Sequence, residues 1–170
     1  TDGQEADAGT DPLDPDEGGI DPTLPDAGSW EISNPTVVSD GCNLESTLSS
    51  LGQSLDVIIP TDFEVSNVTS STFDGTIQGQ STTCNVVGNT FSCASVSTVE
   101  SFDMSPVGGE VDLDLTLSLQ GTMSSSTSMS LNLGADLNSC SDTNGTDCGI
   151  VGLFIPIPCT VGLDGDGTLQ

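Results

Sequence analysis

Residues 110–123 read EVDLDLTLSLQGTM. Val111, Leu113, Leu115, Leu117 and Leu119 hold alternate positions, with Asp112, Asp114, Thr116 and Ser118 between them. A period of two sends the first set to one face and the second to the other, which describes a half-buried strand with a wet outer face. The pattern resumes at Met129, Leu131, Leu133, Ala135 and Leu137. A turn over 124–128 sets Met123 opposite Met129 and Leu119 opposite Leu133. A tighter turn at Gln120-Gly121-Thr122 sets Leu119 opposite Met123. Both keep the apolar face continuous, and the first is preferred because it matches more apolar residues across the pair.

A second hairpin is written into residues 82–93, TTCNVVGNTFSC. Gly88-Asn89 suits the two-residue turn of a type I′ or II′ hairpin. That turn places Val87 opposite Thr90, Val86 opposite Phe91, Asn85 opposite Ser92 and Cys84 opposite Cys93. Counting outward from the turn makes Cys84 and Cys93 a non-hydrogen-bonded pair, whose Cα separation of about 4.5 Å suits a cross-strand disulfide.

Outward from these hairpins, short alternating runs are separated by turn residues, the pattern of an antiparallel sandwich or barrel. Candidate strands are 30–39, 55–60, 62–69, 72–80, 82–87, 90–101, 110–122, 129–137, 149–155 and 157–163, with Trp30 opening the folded part. Residues 43–54 put Leu44, Leu48, Leu51 and Leu55 at helical spacing, which fits one short amphipathic helix or a loop with apolar anchors. The expected fold is all-β, an antiparallel sandwich or lipocalin-like barrel over 29–170 with no more than one short helix.

Six cysteines lie in this region: Cys42, Cys84, Cys93, Cys140, Cys148 and Cys159. An even number in a small acidic chain reads as three disulfides and an oxidising compartment. Cys140 and Cys148 flank a polar loop containing Asn-Gly that closes easily, and Cys42–Cys159 follows by elimination. Zinc is disfavoured, because there is no histidine and no C-x-x-C pair.

The chain of 170 residues has 26 Asp and Glu and no Lys, Arg or His. It cannot neutralise phosphates, so nucleic acid is excluded as a partner. It has no arginine clamp, lysine Schiff base or histidine general base. No D-T-G or D-S-G tripeptide suggests an aspartic dyad, and sugar sites are usually built on aromatics, where this chain has a single tryptophan, Trp30, and no tyrosine. The chain reads as a non-enzyme. No apolar run is long enough to span a bilayer. No signal peptide is visible, so a secreted protein would be in its mature form.

Residues 1–28 are rich in Asp, Pro and Gly and carry nine of the 26 acidic residues. So few apolar groups cannot offset the ordering entropy, and the segment reads as a disordered, charge-extended tether. Hard cations want oxygen ligands, and calcium is the candidate cofactor. Asp142 and Asp147, with Asn144 in the Cys140–Cys148 loop, form one oxygen cluster. Asp164-Gly-Asp166-Gly167 opens like an EF-hand loop but lacks the later ligands; each cluster also reads as an ordinary turn. Asp112 and Asp114 read as a solvated face. Asn67-Val68-Thr69 and Asn144-Gly145-Thr146 are glycosylation sequons, whereas Asn34 precedes proline.

The stretch DAGTDPLDPDEGG followed by SWEISNPTVVSDGC resembles mature surface lipoproteins and secreted proteins of myxobacteria and related Gram-negative bacteria. That resemblance implies a lipocalin-like or sandwich β-domain at the outer cell surface. The expected function is that of a non-catalytic extracellular or cell-surface module, structural or adhesive, or a subunit of a filament or coat that assembles with itself or a protein partner. The alternative is a lipocalin-like carrier whose barrel interior, lined by Leu113, Leu115, Leu117, Leu131 and Leu133, takes a small apolar ligand. The same leucines would fill an ordinary core.

Overall fold

The computed structural model describes residues 22–50, 60–103, 109–142 and 147–170. In chain order the elements are β1 (Gly28–Asp40), α1 (Leu44–Ser50), β2 (Asp62–Ser66), β3 (Thr72–Ile77), β4 (Gln80–Val87), β5 (Thr90–Cys93), β6 (Val96–Asp103), β7 (Glu110–Ser125), β8 (Ser128–Asp142), α2 (Asp147–Phe154) and β9 (Cys159–Leu169). The strands form one antiparallel sheet in the order β5-β4-β3-β2-β1-β9-β8-β7-β6. β5 also pairs with β7, Phe91 facing Gly121, so the order returns on itself. The result is a single barrel-like ring rather than two facing sheets. It is not a regular barrel: the ring closes through only three β5–β7 pairs, and among the described residues β6 adds to β7 alone.

Both hairpins adopt the expected registers. Met123 faces Met129 and Leu119 faces Leu133, and Cys84 faces Cys93 with Val86 opposite Phe91. The apolar face of β7 and β8 turns inward, with Val111, Leu119, Met123, Met129, Leu131 and Leu137 all buried. Opposite them pack Trp30 and Phe63, stacked with centroids 5.8 Å apart, and Phe73 and Phe91, edge to face at 5.2 Å. Such large side chains carry most of the burial energy, roughly 1.5–3 kcal/mol for each one taken out of water. Trp30 is completely buried and its indole N–H donates to the Asp26 carbonyl at 3.1 Å.

Three bridges tie the ring together. Cys84–Cys93 crosses the β4–β5 hairpin with a Cα separation of 3.8 Å. Cys140–Cys148 joins the end of β8 to α2, and Cys42–Cys159 ties the segment before α1 to the start of β9.

Four expectations are corrected. The strand read over 149–155 is helix α2, so the described residues hold two helices where at most one was expected. Ile150 and Val151 favour a strand locally, but three constraints override them. The Asp142 carboxylate accepts the Cys148 N–H at 2.8 Å, the disulfide pins Cys148, and Val151 and Ile155 are buried at helical spacing. The strand read over 90–101 is interrupted at Ala94-Ser95. From Ser92 to Val96 the chain advances four residues while its partners, Gln120 and Leu117, are three apart, so an extra residue bulges there. The Asp164-Gly-Asp-Gly segment, read as a turn, lies inside β9, which runs to Leu169. Its alternation is real: Asp164 and Asp166 face out, and Gly167 faces in, where a Cβ would lie 2.9 Å from Met129 Cγ.

α1 matches the short helix expected near 43–54, and Asp40 caps it by accepting the N–H groups of Leu44 and Glu45 at 2.9 and 3.1 Å. The expected strand 55–60, the sequon at Asn144 and most of the tether fall outside the described residues. The end of the tether does not: Thr23 N–H donates to Gly88 O, Asp26 N–H to Ser126 O, and Pro25 is fully buried. The fold therefore takes in residues from Thr23 onward. No helix among the described residues is long and apolar enough to cross a membrane.

Candidate functional site

The outer wall of the ring carries an open groove of about 730 Å³. Antiparallel register builds it, because residues directly opposite one another share a face. Across six strands one row runs Asn85, Ser92, Gln120, Asn132, Asp164 and Thr36. Two residues further along each strand lies a parallel row of Val87, Thr90, Thr122, Ser130 and Asp166, and both rows line the groove.

The middle of the first row is a directional chain of hydrogen bonds. Gln120 Nε2 donates to Asn132 Oδ1 at 3.0 Å, and Asn132 Nδ2 donates to Asp164 Oδ1 at 2.7 Å. In the second row Asn34 Nδ2 donates to Asp166 Oδ2 at 3.1 Å. Asn34 reaches this position because β1 breaks register between Ser33 and Thr36 and Asn34 takes a left-handed φ of 52°, a conformation asparagine tolerates well. These bonds fix side chains that would otherwise rotate freely. Each carboxylate has about four lone-pair sites, and each amide a second N–H and carbonyl lone pairs, so a ligand meets a preset array of donors and acceptors. The apolar contribution is Val87 at the rim, 77% exposed, with the buried side chains of Phe91 and Leu131 in the floor.

The four aspartates proposed as calcium ligands separate into two places. Asp164 and Asp166 lie in the groove, each bonded to an amide. Asp142 and Asp147 lie at the far end of β8, Asp142 as its last residue and Asp147 as the first of α2. Asp142 caps Cys148 there, and buried Asp147 sits against Gly109, whose added Cβ would be 2.8 Å from its Oδ2. Among the described residues no group of three or more His, Cys, Asp or Glu side chains gathers to hold a metal. The leucines proposed to line a carrier's interior face inward: Leu113, Leu115, Leu131 and Leu133 are buried in the core and Leu117 is partly buried against it.

Asn34, Gln120 and Asn132 were not singled out by sequence reasoning. The signal for two of them was present. Continuing the outward positions of β7 past Ser118 reaches Gln120, and the Leu119–Leu133 register places Asn132 opposite it. Nothing local points to Asn34, whose position depends on the bulge in β1.

No family model and no curated protein matches the chain. One solved structure, of EF1p2_mFAP2b bound to DFHBI, aligns with a TM-score of 0.38 and 14% identity over 86% of this chain and 94% of that one.

Proposed function

We propose that this protein is a non-catalytic extracellular recognition domain that uses the outer polar groove as its adhesive face, either displayed on a cell surface or built into an extracellular assembly. The observation that carries this reading is the register-aligned row Gln120–Asn132–Asp164, presented by three adjacent strands and locked by its own hydrogen bonds. Polar groups held on paired strands lose little entropy when they bind, which is what a recognition surface needs. Three disulfides accord with an oxidising environment. The acidic tether and the resemblance to mature surface lipoproteins accord with display. The absence of any lysine, arginine or histidine leaves carboxylates as the only strong side-chain bases and favours a non-catalytic role.

The carrier reading places its ligand among side chains that pack as a core with Trp30, Phe63 and Phe73, which favours the outer groove instead. Both readings are tested together. The domain and a Gln120→Ala/Asn132→Ala/Asp164→Ala variant of matching melting temperature are passed over immobilised extracellular polysaccharides and proteins. Retention of the domain on at least one surface, and its loss in the variant, is expected. Equal retention of both removes the groove from the function. A stoichiometric apolar small molecule seen by native mass spectrometry would favour the carrier.

A further inference from the structure

We propose that the groove takes a polysaccharide bearing free amines, an amino-sugar polymer in extended form; this rests on the recognition reading above and names its ligand class. Four properties of the groove lead there.

The first is its backbone. β7, β8 and β9 are each hydrogen-bonded to a neighbour on both sides in this part of the ring, and β1, at the end of the row, pairs here with β9. Over β7, β8 and β9 a peptide therefore cannot add itself as another strand and must bind through side chains alone. Val87 is the exposed apolar side chain of the groove, and Phe91 and Leu131 in its floor are already buried, so a peptide's apolar groups find one open partner.

The second is the polar inventory. Amides and hydroxyls of Asn85, Ser92, Gln120, Thr122 and Asn132 stand in two rows about 4.8 Å apart from strand to strand. Hydroxyls both donate and accept, so a polyhydroxylated chain can engage amide N–H, amide carbonyl and carboxylate in turn. The row crosses six strands, a span that suits several residues of a polymer rather than a single terminal one.

The third is charge. Asp164 and Asp166 stand side by side on β9, one in each row, and no cationic side chain exists anywhere in the chain to neutralise them. Each accepts an amide N–H and keeps further acceptor capacity, so a protonated amine gains a charge-assisted hydrogen bond that a neutral hydroxyl does not. The same carboxylates, within a chain of net charge −26, repel uronic acids and sulfated sugars.

The fourth is the missing aromatic platform. Phe91 lines the groove but is 3% exposed, so it offers no open ring face for a sugar to stack on, and hydrogen bonding and charge carry the binding. Binding is therefore weak for a short oligomer, sensitive to salt, and strengthened by repetition along a polymer.

The test follows backbone amide shifts of the intact protein by NMR during titration with glucosamine oligomers, N-acetylglucosamine oligomers, neutral glucose oligomers, uronate oligomers and a lysine-rich peptide. The expected result is that the free-amine oligomer shifts Gln120, Asn132 and Asp164. Its affinity should exceed that of the acetylated and neutral oligomers at least tenfold and fall at least tenfold in 0.5 M NaCl. Asp164→Asn/Asp166→Asn keeps the shape of the groove and removes the charge, so it should bring the free-amine oligomer down to the level of the neutral one. Equal binding of neutral and free-amine oligomers, or preference for the uronate, overturns the ligand class. So does tighter binding of the lysine-rich peptide at the same residues; each of these leaves the recognition reading standing. Failure of every probe to shift a groove residue, together with equal retention of the triple variant in the adhesion test, overturns the recognition reading itself.

Discussion

The ring of Phe91 lies against Gly121 where β5 meets β7, so closely that a Cβ on Gly121 would sit 2.7 Å from Phe91 Cε1 and Cζ and would also collide with the Ser130 carbonyl. An aromatic side chain covering a glycine on the facing strand shields backbone that would otherwise be open and pins the local register. Here the pair is the seam that returns the sheet on itself, because Phe91–Gly121 is the middle of the three β5–β7 pairs.

Gly121→Ala is expected to destabilise the protein by about 1–3 kcal/mol through overpacking, and Phe91→Ala by about 3–5 kcal/mol through the cavity left in the core. Urea unfolding of both single variants and the double variant measures their coupling. Gly121→Ala should cost less in the Phe91→Ala background, since one of its two obstacles is gone. Additive losses would show that the ring is not the obstacle.

The three disulfides close loops of very different length, with sequence separations of 117, 9 and 8. Chain entropy alone gives about 4–5 kcal/mol for Cys42–Cys159 and about 2–3 kcal/mol for each of the others. Paired Cys→Ala variants should rank in that order by denaturant midpoint. A larger loss at Cys84–Cys93 would mean that packing of the sulfurs, rather than loop closure, sets its contribution.

Asp74 accepts hydrogen bonds from the Asn67 amide at 2.9 Å and the Thr83 hydroxyl at 2.8 Å, and these hold its carboxyl below the ordinary 3.8. A folded-state value below the unfolded one stabilises the fold above the unfolded pKa, and that contribution is lost as pH falls through the folded one. NMR titration should place Asp74 below 3.8 and return it towards 3.8 in Asn67→Ala first and in Thr83→Val second. A titration unmoved by either variant would show that neither bond holds in solution.

With 26 carboxylates and no cation, the folded state concentrates like charge that the unfolded chain spreads out. The melting temperature should therefore rise with NaCl, most steeply up to the concentration where the Debye length falls to about 10 Å, near 0.1 M. A melting temperature that does not change between 10 mM and 500 mM NaCl would exclude self-repulsion as a determinant of stability.

Much of this architecture was legible residue by residue. The β4–β5 hairpin, with Cys84 facing Cys93, follows from Gly88-Asn89 and two flanking strands, all within twelve residues. The β7–β8 register follows from two alternating runs joined by a short polar turn. In each case the deciding interactions are local, so propensity, periodicity and turn chemistry agree. The groove was half legible in the same way. Gln120 and Asn132 fall on the outer face of a hairpin whose register the leucines dictate. Asp164 was assigned to a turn, so the third member of the row was out of place.

The chain alone determined an acidic, disulfide-stapled, antiparallel β protein with no basic chemistry, because composition and period-two alternation act over a few residues at a time. Tertiary structure alone decided that Ile150 and Val151 lie in a helix, where a capping carboxylate and a disulfide override their local preference. It also decided that Asp164-Gly-Asp-Gly is strand, because β1 and β8 bond its backbone from both sides while Gly167 leaves room for Met129 and Leu131. The closing of the sheet at Phe91–Gly121 and the alignment of Asn85, Ser92, Gln120, Asn132 and Asp164 into one face depend on pairings between segments far apart in sequence. Those pairings are selected by mutual satisfaction of backbone hydrogen bonds and burial of a shared core, quantities that no single stretch of the chain contains.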